Sequence, residues 1–160
     1  MIYNSGTGDK MRKSRLYLET SVWSLFFADD APEKRDITKR FFDLVFRGIY
    51  EIFFSEVVIR ELNNAQEPKR TEFAKLLKRC APVRLEITDE IEDTANIYIE
   101  RGAIPVNKPD DALHVSIATN YEMDVLVSWN YQHLVNLRKK EVLNGINLEI
   151  GYTKRLEIAT

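Results

Sequence analysis

The sequence predicts an α/β protein with a mainly parallel sheet and helices on both of its faces. Short apolar runs rich in β-branched and aromatic residues alternate with longer segments whose apolar residues recur at helical spacing. These longer segments can carry the chain back across the sheet, as parallel neighbours require. A length of 160 residues suits one such domain and is too short for two.

Composition excludes several other classes of protein. The chain is 44% hydrophobic and 30% charged, which supports a folded core and excludes a disordered chain. No apolar run approaches the roughly 18 residues of a membrane-spanning helix. The one cysteine, Cys80, cannot form an intrachain disulfide. We therefore expect a cytoplasmic protein with a polar, flexible N-terminal extension at 1–14 and a single domain at 15–160.

Two units open the domain. The apolar run at 16–18 predicts a strand, and the hydroxyl residues that follow it can cap a helix starting near Val22. From 33 to 46 apolar residues recur on one helical face, and Gly48 follows as a stop signal. A strand and two helices are therefore expected in this order.

The next part of the chain repeats the alternation. Aromatic and β-branched residues at 50–54 predict a strand, and Ser55 can cap the helix after it. Pro68 is suited to opening a further helix, and Pro82 lies just past its end. Apolar and charged residues then alternate at 83–87, which predicts a strand with one exposed face near the edge of the sheet.

The last elements follow the same pattern. Thr88 precedes a helical segment, and Pro109 fits the first position of a mostly apolar helix that runs to about Tyr121. The continuous apolar run Val125–Val127 is typical of a central parallel strand covered on both faces. The segment 147–152 is predicted to form a final short strand.

Acidic residues occur where a parallel sheet forms binding sites, at the carboxyl ends of its strands. Glu19 follows the first strand, Glu61 lies in the helix after the second, and Asp110 and Asp111 begin a later helix. Carboxylates brought together by separate segments suit Mg²⁺ or Mn²⁺. Glu61 could equally be an exposed helix charge, and the two aspartates could simply complement a helix dipole. Glu19 is harder to explain without a metal or a cap, because a carboxylate at a buried sheet edge needs a partner.

Four short segments carry a resemblance to a known family. The most specific reads Asp-Asp-Ala-Leu-His-Val-Ser-Ile-Ala at 110–118. The others are Tyr-Leu-Glu-Thr-Ser-Val-Trp at 17–23, Ser-Glu-Val-Val-Ile-Arg-Glu-Leu at 55–62 and Val-Ser-Trp-Asn at 127–130. In this order they resemble the PIN-domain family, in particular the VapC-like toxin ribonucleases of type II toxin–antitoxin systems. The resemblance implies a three-layer α/β/α PIN-like fold with a central parallel sheet of about four or five strands.

The resemblance also implies a site of carboxylates around one or two divalent ions. Glu19 stands where the family usually has its first Asp, Glu61 matches its second acidic residue and Asp111 matches the Asp that begins a helix. These three, with Asn130, form the implied catalytic set, and Asp110 is a spare metal ligand. Glu19 is one methylene longer than the usual Asp. Asn130 removes a charge where many members carry a further Asp, which weakens the attraction for a second metal.

Three residues are expected to support this site. Thr20 and Ser128 can hydrogen-bond water or a carboxylate, although both could equally serve as caps. Lys108 lies beside the aspartates and could orient an RNA backbone. The formal net charge of −2 provides no overall positive field, so contact with nucleic acid would have to be local.

Three conspicuous residues near the site are better explained by packing. His114 could suggest a metal ligand, but histidine prefers softer ions than Mg²⁺, and at this position in the family pattern the residue packs the helix. Trp23 and Trp129 could stack on a base, although core packing is favoured for both.

The resemblance implies a metal-dependent endoribonuclease that cleaves single-stranded RNA, acts as the toxin of a toxin–antitoxin pair, forms a homodimer and is blocked by a small antitoxin. An alternative is a PIN-like binding module that has weakened or lost catalysis and acts through an RNA or protein partner. Glu19 and Asn130 motivate this alternative, because both depart from the family pattern. A phosphatase or a nuclease acting on DNA would use the same metal chemistry, but no long insertion is present to form a clamp.

Overall fold

The structure is a computed structural model, and it describes residues 3–4, 12–130 and 134–160. A short antiparallel pair, β1 (Tyr3–Asn4) and β2 (Arg12–Lys13), precedes the main sheet. The sheet is formed by β3 (Arg15–Leu18), β4 (Glu51–Ser55), β5 (Val83–Leu85), β6 (Val125–Val127) and β7 (Glu157–Ala159). The helices are α1 (Thr20–Leu25), α2 (Pro32–Phe46), α3 (Glu56–Asn63), α4 (Lys69–Cys80), α5 (Asp89–Glu100), α6 (Pro109–Asn120) and α7 (Leu137–Glu149).

The main sheet is parallel throughout, with the strand order β5-β4-β3-β6-β7. The chain starts at the centre, moves outward through β4 to β5, and then returns to build the other half from β6 to β7. The direction of winding therefore reverses between β3 and β6. In open parallel sheets this switch point, at the carboxyl ends of the strands, is where ligands bind.

The two faces of the sheet bury two separate apolar clusters. Within β3, Tyr17 points to one side while Leu16 and Leu18 point to the other, as the two-residue period of a strand requires. Helices α5, α6 and α7 cover the Tyr17 side, and α1 to α4 cover the opposite side. The result is the three-layer α/β/α arrangement that the sequence predicted.

Capping residues and prolines lie at the starts of several helices. Ser55 and Thr88 cap α3 and α5, each accepting a hydrogen bond from a backbone N–H in the first turn. Pro32 and Pro109 occupy the first turns of α2 and α6, where a missing N–H costs nothing. The predicted roles of Ser55 and Pro109 and the helix predicted after Thr88 are thus confirmed.

The predicted strand at 147–152 is wrong. Residues 147–149 lie in α7, which begins after its cap Asn136, and the chain then turns. Alternating apolar residues from 146 to 152 imitate a strand, but the buried side chains of α7 are at helical spacing and Leu148 is 63% exposed. Asn147 is buried within the helix layer, where it bonds Tyr98 and Thr119. The last strand of the sheet is instead β7.

The other predicted strands and helices are confirmed, including the position of β5 at an edge of the sheet. The proposed flexible extension at 1–14 falls mostly on residues outside the described ranges. Within those ranges, no helix combines the length and the apolar character needed to cross a bilayer.

Candidate active site at the switch point

Glu19 lies at the switch point, directly after β3. Its backbone N–H donates to the carbonyl of Val127 at 3.1 Å, so the residue is held between β3 and β6. Its side chain caps α1: Oε1 accepts a hydrogen bond from Ser21 N at 2.7 Å and another from the Ser21 hydroxyl. Ser21 Oγ in turn accepts from Trp129 N at 2.8 Å. The carboxylate is therefore fixed by its own helix and by the segment that follows β6.

The charge of Glu19 is poorly compensated. The residue is only 5% exposed, and burial raises the pKa of its carboxyl group even though His114 and the bonds from Ser21 oppose the change. The nearby charge of Asp111 raises the pKa further. Within the described part of the chain, no Lys or Arg forms a salt bridge with Glu19. A bound cation would supply the missing charge.

Glu61 reaches the same edge from α3. Its Oε1 accepts hydrogen bonds from Thr20 Oγ1 at 2.6 Å and from His114 Nε2 at 3.0 Å. Burial acts to raise the pKa of Glu61, but these two bonds and the neighbouring positive charge lower it overall. The Glu61 carboxylate is therefore held ionised. Both hydrogen bonds are accepted by the same oxygen, Oε1. The Thr20 hydroxyl therefore donates to one of the predicted site carboxylates.

Asp111 and Asn130 meet on the other side of the edge. Asp111 lies in the first turn of α6, and its Oδ2 accepts a hydrogen bond from Asn130 Nδ2 at 3.1 Å. The backbone N–H of Asn130 donates to Ser128 Oγ at 2.9 Å, which fixes the turn after β6. The structure thus gives Ser128 a turn-capping contact and brings the amide of Asn130 onto a predicted metal ligand.

Asp110 and Lys108 occupy more open positions. Oδ1 of Asp110 accepts from Arg60 Nη2 at 2.6 Å, in an exposed ion pair that joins α6 to α3. Asp110 is therefore engaged with a cation of the chain itself. Lys108 is exposed at the residue before α6, one turn from Asp111.

Sequence reasoning did not assign a functional role to Tyr17 and set His114 aside as a packing residue. Both are buried at the site, and Tyr17 Oη lies 2.7 Å from His114 Nδ1 and 2.8 Å from Ser55 Oγ. Burial acts to lower the pKa of His114, but the bond to Glu61 and the surrounding carboxylates raise it overall. A tyrosine between two leucines of a buried strand was the available signal, because a buried hydroxyl needs a partner.

The two tryptophans differ. Trp23 is fully buried, and its indole N–H donates to the Leu18 carbonyl, so it packs in the core. Trp129 is half-buried beside the site; its indole N–H donates to Thr38, and Lys34 Nζ lies 5.6 Å from its ring centroid. Base stacking by Trp23 is therefore excluded.

The donor chemistry of this edge suits a divalent cation. Carboxylate and amide oxygens are the ligands that Mg²⁺ and Mn²⁺ take, and the buried, only partly compensated charge of Glu19 favours a bound cation. As placed, however, the side chains bond one another, and in the described ranges no three His, Cys, Asp or Glu groups are clustered as a metal site. The chemical types of these residues suit the ion, but in the described ranges they are not gathered into a ligand set.

Two solved structures have this fold at low sequence identity. One is VapBC2 from Rickettsia felis, bound to a promoter DNA fragment. Its TM-score to this protein is 0.55, with 15% sequence identity, and the match covers 74% of this chain and 89% of that chain. The other is VapC20 from Mycobacterium tuberculosis, a sarcin-ricin loop cleaving toxin, with a TM-score of 0.57 and 13% identity over 87% and 97%. The likeness confirms the predicted PIN-like fold. No protein-family model matches the chain, and no curated protein matches it in sequence.

Proposed function

We propose that this protein is a Mg²⁺- or Mn²⁺-dependent endoribonuclease that cleaves single-stranded RNA and acts as the toxin of a toxin–antitoxin pair in the cytoplasm. The observation that carries the proposal is the buried carboxylate of Glu19, which lies at the switch point of the sheet within electrostatic range of Asp111. Among the residues that the structure describes, no Lys or Arg forms a salt bridge with it. A structural carboxylate at such a depth is normally paired, whereas a metal-binding one is paired by its ion.

Glu19, Glu61 and Asp111 are the residues that would hold the ion, with Asp110 as a nearby spare. When bound, a divalent ion lowers the pKa of a water and neutralises charge on the phosphate under attack. The chain itself keeps Glu61 ionised through the bonds from Thr20 and His114.

Two further residues would act on the substrate. The amide of Asn130, fixed by its contacts with Asp111 and Ser128, would orient a water or a phosphate oxygen. The exposed ammonium of Lys108 would contact the RNA backbone. A compact carboxylate edge reaches an exposed strand more easily than the groove of a duplex, so single-stranded RNA is the expected substrate.

The structures of similar fold support this proposal by analogy. One of them is named as a toxin that cleaves the sarcin-ricin loop, and the other carries the paired name VapBC2. By this analogy we propose that a small antitoxin binds this protein and blocks its site.

We also propose that the protein is a homodimer. Gel filtration with light scattering would then return about twice the chain mass of 18.7 kDa. A mass equal to that of one chain would contradict it.

The test of the activity is cleavage of a mixed-sequence single-stranded RNA with Mn²⁺, with Mg²⁺ and with chelator. The intact protein is compared with Asp111→Ala and with Asp93→Ala, which removes an exposed carboxylate of α5. We expect cleavage that requires the metal, persists in Asp93→Ala and disappears in Asp111→Ala. Equal cleavage by all three proteins would point to a contaminating nuclease. Matched assays on DNA and a phosphomonoester distinguish the other metal-dependent reactions.

One observation favours a second function, a binding module without catalysis. Asn130 donates to Oδ2 of Asp111 at 3.1 Å, so an amide N–H occupies one carboxylate oxygen of a predicted metal ligand. Titration with Mn²⁺ monitored by the fluorescence of Trp129, beside the site, separates the two functions. A saturable response supports the nuclease, and no response together with retained RNA binding supports the module.

A further inference from the structure

A chain of buried hydrogen bonds runs behind the candidate site. Ser55 Oγ, Tyr17 Oη and His114 Nδ1 are linked at 2.8 and 2.7 Å, and His114 Nε2 continues the chain to Glu61 Oε1 at 3.0 Å. Ser55, Tyr17 and His114 are each at most 1% exposed. Because an ionised carboxylate can only accept, Nε2–H is the donor to Glu61.

This chain joins the segments that carry the three site carboxylates. Ser55 caps α3, the helix that carries Glu61 one turn and a half later. Thr20, the neighbour of Glu19, lies 3.3 Å from His114 Nε2 through its Oγ1. His114 is itself one turn after Asp111 on α6. The imidazole is therefore the point at which α1, α3 and α6 meet.

Packing alone does not explain a histidine here. Most flanking buried positions of α6 are apolar, among them Ala112, Val115 and Ala118, and an apolar side chain at position 114 would fill the same layer. A buried imidazole requires partners for both of its nitrogens, and the structure provides them. A fully satisfied polar network of this kind fixes one arrangement of the groups it joins.

We propose that His114 is a positioning residue that, held by Tyr17, fixes Glu61 Oε1 and thereby sets the spacing of the Glu19, Glu61 and Asp111 segments for a divalent cation. The inference rests on the proposed function, since it assigns those carboxylates to a metal. Outer partners that orient metal ligands typically change metal affinity or activity about 10- to 100-fold when removed.

The first comparison is His114→Leu with His114→Gln. Leucine fills similar volume without a donor, whereas the glutamine amide places an N–H near the position of Nε2. Mn²⁺ binding is measured by calorimetry without RNA, and kcat and KM are measured separately. We expect His114→Leu to weaken Mn²⁺ binding and lower kcat about 10- to 100-fold with little change in KM, and His114→Gln to recover most of both.

The second comparison uses two tyrosines. Tyr17→Phe and Tyr98→Phe each delete a buried hydroxyl with two hydrogen-bond partners, but those of Tyr98 are Thr119 and Asn147, in the helix layer away from the site. Both variants should melt at a lower temperature. Only Tyr17→Phe should weaken Mn²⁺ binding, by about three- to tenfold.

The outcomes separate the two proposals. If His114→Leu, His114→Gln and Tyr17→Phe all bind Mn²⁺ as the intact protein does and lose only thermal stability, the positioning role is overturned. If His114→Leu does not fold, the two tyrosine variants decide. Mn²⁺ binding that depends on His114 without RNA cleavage would remove the nuclease and keep the positioning role. No Mn²⁺ binding by the intact protein would remove both.

Discussion

The two ends of the central strands β3 and β6 hold carboxylates in opposite electrostatic settings. At the amino end, Asp124 accepts from Arg15 N at 2.8 Å, from Arg12 at 3.0 Å and from Lys154 at 2.7 Å. Burial alone would raise the pKa of Asp124, but these donors lower it. At the carboxyl end, Glu19 lacks such a salt bridge in the described part of the chain, and burial raises its pKa.

This difference separates a structural carboxylate from a candidate functional one. Asp124 forms ion pairs with Arg12 of β2 and with Lys154 in the segment before β7, and it accepts a hydrogen bond from the backbone N–H of Arg15 in β3. The charge of buried Glu19 is compensated only in part by its neighbours in the described part of the chain, a pattern found at functional sites. Acidic residues alone would not have distinguished the two ends; their partners do.

The largest expected effect is on catalysis at the carboxyl end. Asp111→Asn keeps the size of the side chain and removes its charge, and we expect RNA cleavage to fall at least about 100-fold. Asp110→Asn removes the adjacent charge, which is engaged with Arg60, and should cost less than about fivefold. Initial rates at saturating Mn²⁺ measure both. The reverse ranking would make Asp110 the ligand.

The next largest effect is a loss of stability on changing Asp124, at the amino end of the central strands. Asp124→Asn removes the acceptor of two ion pairs, and we expect the free energy of unfolding at pH 7 to fall by about 1–3 kcal/mol. Because the pKa of Asp124 is lowered in the folded state, its contribution is present above the ordinary Asp pKa and lost as pH falls through the folded value. Urea unfolding at pH 7 and pH 3 should therefore give a difference between the proteins that shrinks in acid. A constant difference would assign the loss to packing.

For Glu19→Gln we expect the opposite change in stability, an increase at pH 7. The pKa of Glu19 is raised in the folded state, so the stability linked to its protonated form is present below the ordinary Glu pKa and lost as pH rises through the folded value. Glutamine keeps an acceptor for Ser21 without a charge. At pH 7 Glu19→Gln should be more stable than the intact protein by about 1 kcal/mol, while metal-dependent cleavage falls.

Melting temperatures of both proteins from pH 4 to pH 8 check the Glu19 prediction. The gap should open as the pH rises from about 4. A variant that is less stable at every pH would show that the Glu19 charge is already compensated, and the contrast between the two ends would disappear.

The sequence predicted most of the framework because its signals are local. Ser55 and Thr88 cap helices through contacts within three residues, and Val125–Val127 reads as a buried strand without further context. The strand prediction for 147–152 is wrong because the alternating apolar residues of this segment suit a strand, whereas α7 buries a helical stripe that includes Asn147. The contact between Tyr17 and His114 spans 97 positions, and no short-range pattern specifies it.

The smallest expected effect is the coupling energy of an exposed ion pair, which we compare with the more buried pairs of Asp124. Arg60 and Asp110 lie 2.6 Å apart with side chains that are 56% and 36% exposed, whereas the Asp124 side chain is 13% exposed. Exposed pairs lose most of their attraction to water and to the entropy of holding two side chains. A double-mutant cycle of Arg60→Ala and Asp110→Ala in urea should give a coupling below about 0.5 kcal/mol that weakens in salt. A larger, salt-independent coupling would mean that this pair fixes α3 against α6 as firmly as the Asp124 pairs fix the amino end.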